Sequence, residues 1–262
     1  MAHGVSSEKR ATPAAEQLGA ILLPEGGLTV ALDHGLAGVP KGLEQAPRRI
    51  LEILEQGPDG VVVSVGMMRA LGQHVVDRGV KAIVAVDAAL TEAGGIVGHS
   101  DVATIEQAAD AGCDCVKIVF QIGWARELFF AEITRVAAFV TQAHGAGVPI
   151  MVEPVLIGGD PGDWTGRETA RVLDGCRIAS ELGADILKIP MLPAEGVRSV
   201  VEMSYCPVAV MGGEARGQDE FLAHVGDCLE AGARGVVIGR NVWHGGQETA
   251  MIASLRRLLR AA

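Results

Sequence analysis

The sequence predicts a single (β/α)₈ barrel formed by residues 1–262 as one domain, with a flexible N-terminal segment of about residues 1–20. Three observations carry this. Eight short apolar runs rich in Val and Ile recur along 262 residues. Segments of helical period separate them. No Pro/Ser-rich linker divides the chain, and its length matches the roughly 250 residues of one barrel.

The runs are 28–33 (LTVALD), 60–65 (GVVVSV), 81–87 (KAIVAVD), 115–120 (CVKIVF), 148–154 (VPIMVEP), 185–190 (DILKIP), 206–212 (CPVAVMG) and 234–239 (RGVVIG). Their apolar character is nearly continuous rather than alternating, as expected of parallel strands buried on both faces. Residues 43–56 place Leu43, Ile50, Leu51 and Leu54 at helical spacing. Helices are also expected over 101–111, with Asp101 as a cap, and over 127–144, 168–182 and 218–231. Three junctions read AGCD, LGAD and AGAR, so Gly112, Gly183 and Gly232 fall where a helix ends in a positive-φ residue. A doubly wound open sheet is the rival fold. It would place a Gly-rich phosphate loop after the first strand, where this chain reads DHGLAGVPKG. Neither GxGxxG nor a P-loop is present.

Composition narrows the function classes. A net charge of −10 disfavours nucleic acid and anionic membrane as partners. With 49% hydrophobic and 21% charged residues the chain is not disordered. No apolar run reaches the ~18 residues of a membrane span, and the ILL run near the N-terminus is too short for a signal peptide. Cys113, Cys115, Cys176, Cys206 and Cys228 lack metal spacing and read as reduced thiols of a cytoplasmic protein. His99, His144 and His244 show no ligand spacing, and His74 and His224 read as helix-surface residues. No metal or other cofactor is expected. Aromatic residues, at 3%, offer no stacking platform for bases or sugars.

Barrel enzymes carry their chemistry at the C-terminal ends of the strands. Lys188 lies in DILKIP, a doubly buried run. Desolvation there lowers a lysine's pKa and supplies the neutral amine that a Schiff base requires. Lys117 in CVKIVF has the same character. Two cations in one mouth would lower each other's pKa, leaving one as nucleophile and the other as proton carrier or anion contact, or else Lys117 forms an ion pair with Asp33 or Glu153. Asp33 and Glu153 are acid/base candidates and lysine orienters. His34 is a proton shuttle or satisfies a loop carbonyl. Gly212-Gly213 and Gly239-Arg240 end the seventh and eighth strands, where backbone N–H groups form a phosphate cradle in many barrels.

These pieces (LDHGLAGVP, VKI, VEPV, ELGADILKIP, VMGGE and GVVIGRNVW) resemble the class I aldolases of the DeoC/fructose-bisphosphate aldolase superfamily over roughly residues 28–258. ALDHG and GRNVW are similar to archaeal-type fructose-bisphosphate aldolases and a related thiolase. VEPV and LKIPM are similar to tagatose-bisphosphate and sulfofructose-phosphate aldolases. The resemblance implies a Schiff base on Lys188, roles for Asp33, Glu153 and Lys117, and a catalytic His34 in the thiolase branch. It also implies a phosphorylated ketose substrate yielding dihydroxyacetone phosphate and an aldehyde, and a homo-oligomer. The archaeal-type enzymes use a Tyr near the end of the fifth strand as general acid. Here that segment, MVEPVLIGG, has none, so the proton step falls to Glu153 or Lys117. Three alternatives stay open: a thiolase- or transaldolase-like transfer on the same lysine, a metal-dependent aldolase, and a phosphate-binding barrel without chemistry.

Overall fold

The computed structural model describes residues 22–92, 95–123, 126–157 and 165–260. The expected flexible segment at 1–20 lies outside them. The strands are β1 (Gly27–Ala31), β2 (Gly60–Ser64), β3 (Lys81–Ala85), β4 (Asp87–Glu92), β5 (Gly95–Asp101), β6 (Cys115–Ile122), β7 (Ile150–Leu156), β8 (Ile186–Ile189), β9 (Val208–Met211) and β10 (Gly235–Ile238). The helices are α1 (Ala46–Glu55), α2 (Val65–Asp77), α3 (Ile105–Asp110), α4 (Arg126–Gly145), α5 (Gly166–Leu182), α6 (Ala194–Met203), α7 (Gln218–Glu230), α8 (Arg240–Trp243) and α9 (Glu248–Leu259). Eight strands close into a parallel barrel in the order β1-β2-β3-β6-β7-β8-β9-β10, and β10 pairs back onto β1. Each run expected from the sequence supplies one barrel strand.

Strict alternation divides the apolar residues. Ala31, Val62, Ile83, Ala85, Cys115, Met151, Ile186, Ala209 and Val237 point inward and form one cluster that plugs the lower barrel. Their neighbours along each strand, among them Val30, Val61, Val84, Val116, Val152, Leu187, Val210 and Val236, point outward into the larger core beneath the helices. The sequence looks continuously apolar because both faces of each strand are covered. Polar inward residues are therefore confined to the barrel's ends.

The repeated junctions have a physical explanation. Gly112, Gly183 and Gly232 have φ of +81°, +99° and +102°, so each helix ends in the left-handed region. The residue before the next strand then fastens a neighbouring segment at the lower end of the barrel. Asp114 accepts from Ala82 N of β3 at 2.9 Å, and Asp185 accepts from Ile150 N of β7 at 2.9 Å. Arg234 donates to Leu23 O at 2.8 Å. Asp59 does the same for β1, accepting from Leu28 N at 2.7 Å.

Two elements differ from expectation. Asp101 does not cap a helix. It ends β5, and α3 starts four residues later in a capping box in which Thr104 and Gln107 bond reciprocally at 3.1 and 3.0 Å. Residues 87–101 instead form an antiparallel hairpin, β4–β5, beside the barrel. Among the described residues no helix is long and apolar enough to cross a membrane. All five cysteines are unpaired, and burial pushes their thiols up, Cys113 to about 11 and Cys206 and Cys228 to about 12, so they are protonated and unreactive.

Candidate active site

Above the apolar plug, the next inward positions are ionisable: Asp33 just past β1, Asp87 at the start of β4, Lys117 on β6, Glu153 on β7 and Lys188 on β8. The pairing register aligns the last two. Met151 faces Ile186 and Val152 faces Leu187, so the next rung sets Glu153 beside Lys188. Glu153 Oε2 accepts from Lys188 Nζ at 2.9 Å and lies 3.2 Å from Lys117 Nζ. Lys117 Nζ is also 3.4 Å from Asp33 Oδ2 and 3.7 Å from Asp87 Oδ1. His34 Nδ1 is 3.7 Å from Asp33 Oδ1.

This cluster corrects one expectation. The lysines do not lower each other's pKa at Lys117. Burial alone would depress it, but Glu153, then Asp33 and Asp87, outweigh burial and raise it. Lys117 is an ammonium in a three-carboxylate nest, and the ion-pair reading of the sequence is the observed one. Burial would raise Asp33, yet Lys117, His34 and Lys188 hold it at about 2. Burial likewise opposes ionisation of Glu153, but Lys188 and Lys117 prevail and lower it. His34 is lowered, by burial first, with Asp33 only partly offsetting this, so it is a neutral imidazole. Its ring meets Trp243 edge-on at 5.1 Å.

The four residues expected to hold phosphate converge at one side of the mouth. Gly213 has φ +64°. Asn241, next to Arg240, ties the two loops together. Its Nδ2 donates to Gly212 O at 2.9 Å and Glu214 O at 3.0 Å, and its Oδ1 accepts from Arg216 N at 3.0 Å. Arg240 pairs with Glu214, and its Nε is buried without a partner. Trp243 Nε1 donates to Ala31 O at 2.9 Å, fastening α8 over the end of β1.

Sequence reasoning missed Asp87, His99, Arg135 and Asn241. Asp87 is 1% exposed and ends a run that the sequence marks as a strand, the one signal that could have found it. His99, on β5, lies 3.0 Å from Asp87 Oδ2. Asp87, His99 and Asp101 bring one ligand-type atom each to within 4.8 Å of one another, a grouping their sequence spacing conceals. Arg135 lies 2.7 Å from Asp101 and 3.7 Å from Asp87, so a guanidinium already meets this charge. His74 is on the surface as expected, whereas His224 is half-buried and bonds Leu192 O at 3.1 Å. Tyr205, the only Tyr in the chain, precedes β9 at the opposite end of the barrel, where it is exposed and bonded to Glu181 at 2.9 Å. It is remote from the lysines.

A closed parallel barrel with its ionisable residues gathered at the C-terminal mouth is the architecture of an enzyme. A family model described as DeoC/LacD family aldolase matches residues 28–245. An uncharacterized aldolase of Saccharolobus solfataricus is 28% identical over 88% of this chain and 89% of its own. The 2-amino-3,7-dideoxy-D-threo-hept-6-ulosonate synthase 1 of Archaeoglobus fulgidus is 30% identical over 83% and 80%. A solved structure of a Schiff-base-forming fructose-1,6-bisphosphate aldolase superposes with TM-score 0.77 at 25% identity, covering 94% of this chain and 99% of that one. The chain belongs to the DeoC/LacD aldolase family and is a class I aldolase, a lyase.

Proposed function

We propose that Lys188 forms a Schiff base with a phosphorylated ketose, which the enzyme cleaves to dihydroxyacetone phosphate and an aldehyde or builds in reverse. One observation carries this reading: Glu153 Oε2 bridges the two lysines at 2.9 and 3.2 Å. Among the described residues Lys188 contacts this one carboxylate, whereas Lys117 contacts three. Lys117 is thus committed to its carboxylate partners, and Lys188, tied to one carboxylate, is the side chain left for attack on the substrate.

The neutral Lys188 Nζ adds to the C2 carbonyl, and a proton taken up from solvent lets the carbinolamine hydroxyl leave as water, giving an iminium; the same proton is released on the final hydrolysis. Glu153, ionised at neutral pH, takes the proton from the C4 hydroxyl. The C3–C4 electron pair moves into the iminium as an enamine, and the aldehyde departs. The protonated Glu153 returns its proton to C3, and hydrolysis frees dihydroxyacetone phosphate and Lys188. Lys117 stays positive and stabilises the alkoxide that forms at C4. Asp33 anchors Lys117, and neutral His34 stands beside Asp33 as a second proton carrier. Gly212, Gly213 and Gly239 offer backbone N–H groups to the phosphate and Arg240 offers its guanidinium. The scheme calls on no metal.

The reading extends to a homo-oligomer, supported by exposed Leu128 and Phe130 on α4, and to a cytoplasmic setting, supported by five unpaired thiols. Borohydride reduction with dihydroxyacetone phosphate tests the chemistry. A mass adduct should map to Lys188 and vanish in Lys188→Met. An adduct on Lys117 reverses the assignment, and no adduct on either lysine refutes dihydroxyacetone phosphate as the Schiff-base partner. Light scattering tests the assembly.

A further inference from the structure

Asp87 divides its two oxygens between two tasks. Oδ2 faces the scaffold: it accepts from Val119 N at 2.6 Å and lies 3.0 Å from His99 Nε2 and 3.7 Å from Arg135 Nη1. Oδ1 is buried with no hydrogen-bond partner and stands 3.7 Å from Lys117 Nζ. A buried carboxylate oxygen without a partner is costly, and Oδ2 already makes the bonds that hold the hairpin base to β6. The spare oxygen therefore needs another reason for its charge, and the ammonium it faces supplies one.

Taking Lys188 as the Schiff-base nucleophile, we infer that Asp87 is a positioning residue that keeps Lys117 as an ammonium and so leaves imine formation to Lys188 alone. The charged groups around Lys117 come from four elements. They are Asp33 after β1, Asp87 on β4, Glu153 on β7 and, through Glu153, Lys188 on β8. His34 stands behind Asp33, and His99 on β5 and Arg135 on α4 stand behind Asp87. His99 and Arg135 meet only Oδ2, so they fix the carboxylate's orientation and leave Oδ1 facing Lys117.

The chain has five lysines, so ¹³C labelling at Cε lets each be followed by NMR. Wild-type Lys117 should stay protonated to the highest pH at which the fold survives. Asp87→Asn keeps the acceptor for Val119 N and removes the charge. It should lower the Lys117 midpoint by about one unit or more for a charge lost at this distance, so that the share of Lys117 present as free amine at a given pH rises about tenfold. Borohydride trapping at pH 9 should then label Lys117 about tenfold faster than in the wild type, with Lys188 labelled in both. A variant that only loses thermal stability, with the Lys117 midpoint and the labelling pattern unchanged, assigns Asp87 a purely structural role and overturns the inference. If Asp87→Asn alone does not fold, the double variant with Lys117→Met removes both charges. Recovery of the fold shows that the two act as a pair, and a double variant as unstable as the single one overturns it. Wild-type trapping that misses Lys188 fails the Schiff-base reading instead, and is seen before any Asp87 variant is made.

Discussion

Lys188 and Glu153 share one rung of β8 and β7, and their 2.9 Å contact continues the register set by Met151 with Ile186 and Val152 with Leu187. Backbone hydrogen bonds, rather than two flexible side chains finding each other, place the amine against the carboxylate. A slip of one residue would turn either group outward into the apolar core beneath the helices. The apolar plug below and the strand pairing on both sides hold the pair in place.

The proposed division of labour between these two residues can be separated experimentally. Glu153→Gln should retain borohydride trapping on Lys188, because imine formation needs only a neutral amine and a carbonyl. Turnover should fall by ~10²–10⁴, the usual size of a general acid/base contribution. Normal turnover in this variant would move the proton step to His34, Asp33, Lys117 or a bound water.

Half-buried Arg240 pairs with exposed Glu214 beside the proposed phosphate cradle. Arg240→Ala should raise KM for a phosphorylated ketose about 10-fold or more, matching ~1.5–3 kcal/mol for a charge-assisted hydrogen bond. KM for an unphosphorylated analogue should not move. Steady-state kinetics on the two substrates decides the matter, and equal effects on both would remove Arg240 from phosphate binding.

Gly239 is required by space. A Cβ there would stand 2.7 Å from His34 Cε1 and 3.0 Å from Ala31 O, and the His34 ring is backed by Trp243. Gly239→Ala should cost ~1–3 kcal/mol, the range for overpacking a filled site, read as a lower urea midpoint. The adjacent Gly213, whose Cβ would meet Arg216 Nη2 at 3.6 Å, is limited instead by its φ of +64°.

Stability at acid pH should carry the signature of Asp33. Its folded pKa of about 2 lies below the 3.8 of a free carboxyl, so the unfolded chain takes up the proton first. The stabilisation is fully present above about pH 4, on the order of 2 kcal/mol, and is lost as pH falls from there through 2. Urea unfolding between pH 2 and 6 should show a shallower acid decline in Asp33→Asn than in wild type. Parallel curves for the two proteins would refute it.

The barrel was legible in the sequence because its determinants are local and repeated. Eight Val/Ile-rich runs, each covered on two faces, and three junction glycines in the left-handed region recur at regular intervals along the chain. Lys188, Lys117 and Glu153 stood out for a related reason: a charge inside a doubly buried run must face the barrel's interior and meet a partner. The hairpin was not legible. Residues 87–101 carry no extended apolar run, and their antiparallel pairing lies outside the barrel repeat. Asp87 consequently looked like the tail of a strand, His99 showed no ligand spacing, and nothing in the sequence singled out Arg135.

The sequence by itself determined the architecture, the inward lysines and the pair of glycine-ended strands beside Arg240. Tertiary structure alone decided how the charges are shared. How firmly a buried lysine is held by its surroundings depends on how many carboxylates lie within about 4 Å of it, and those around Lys117 come from positions 33, 87 and 153 on three strands or their ends. Closure of the barrel gives Lys117 all three and Lys188 one, an asymmetry that nothing in the two similar strings CVKIVF and DILKIP distinguishes.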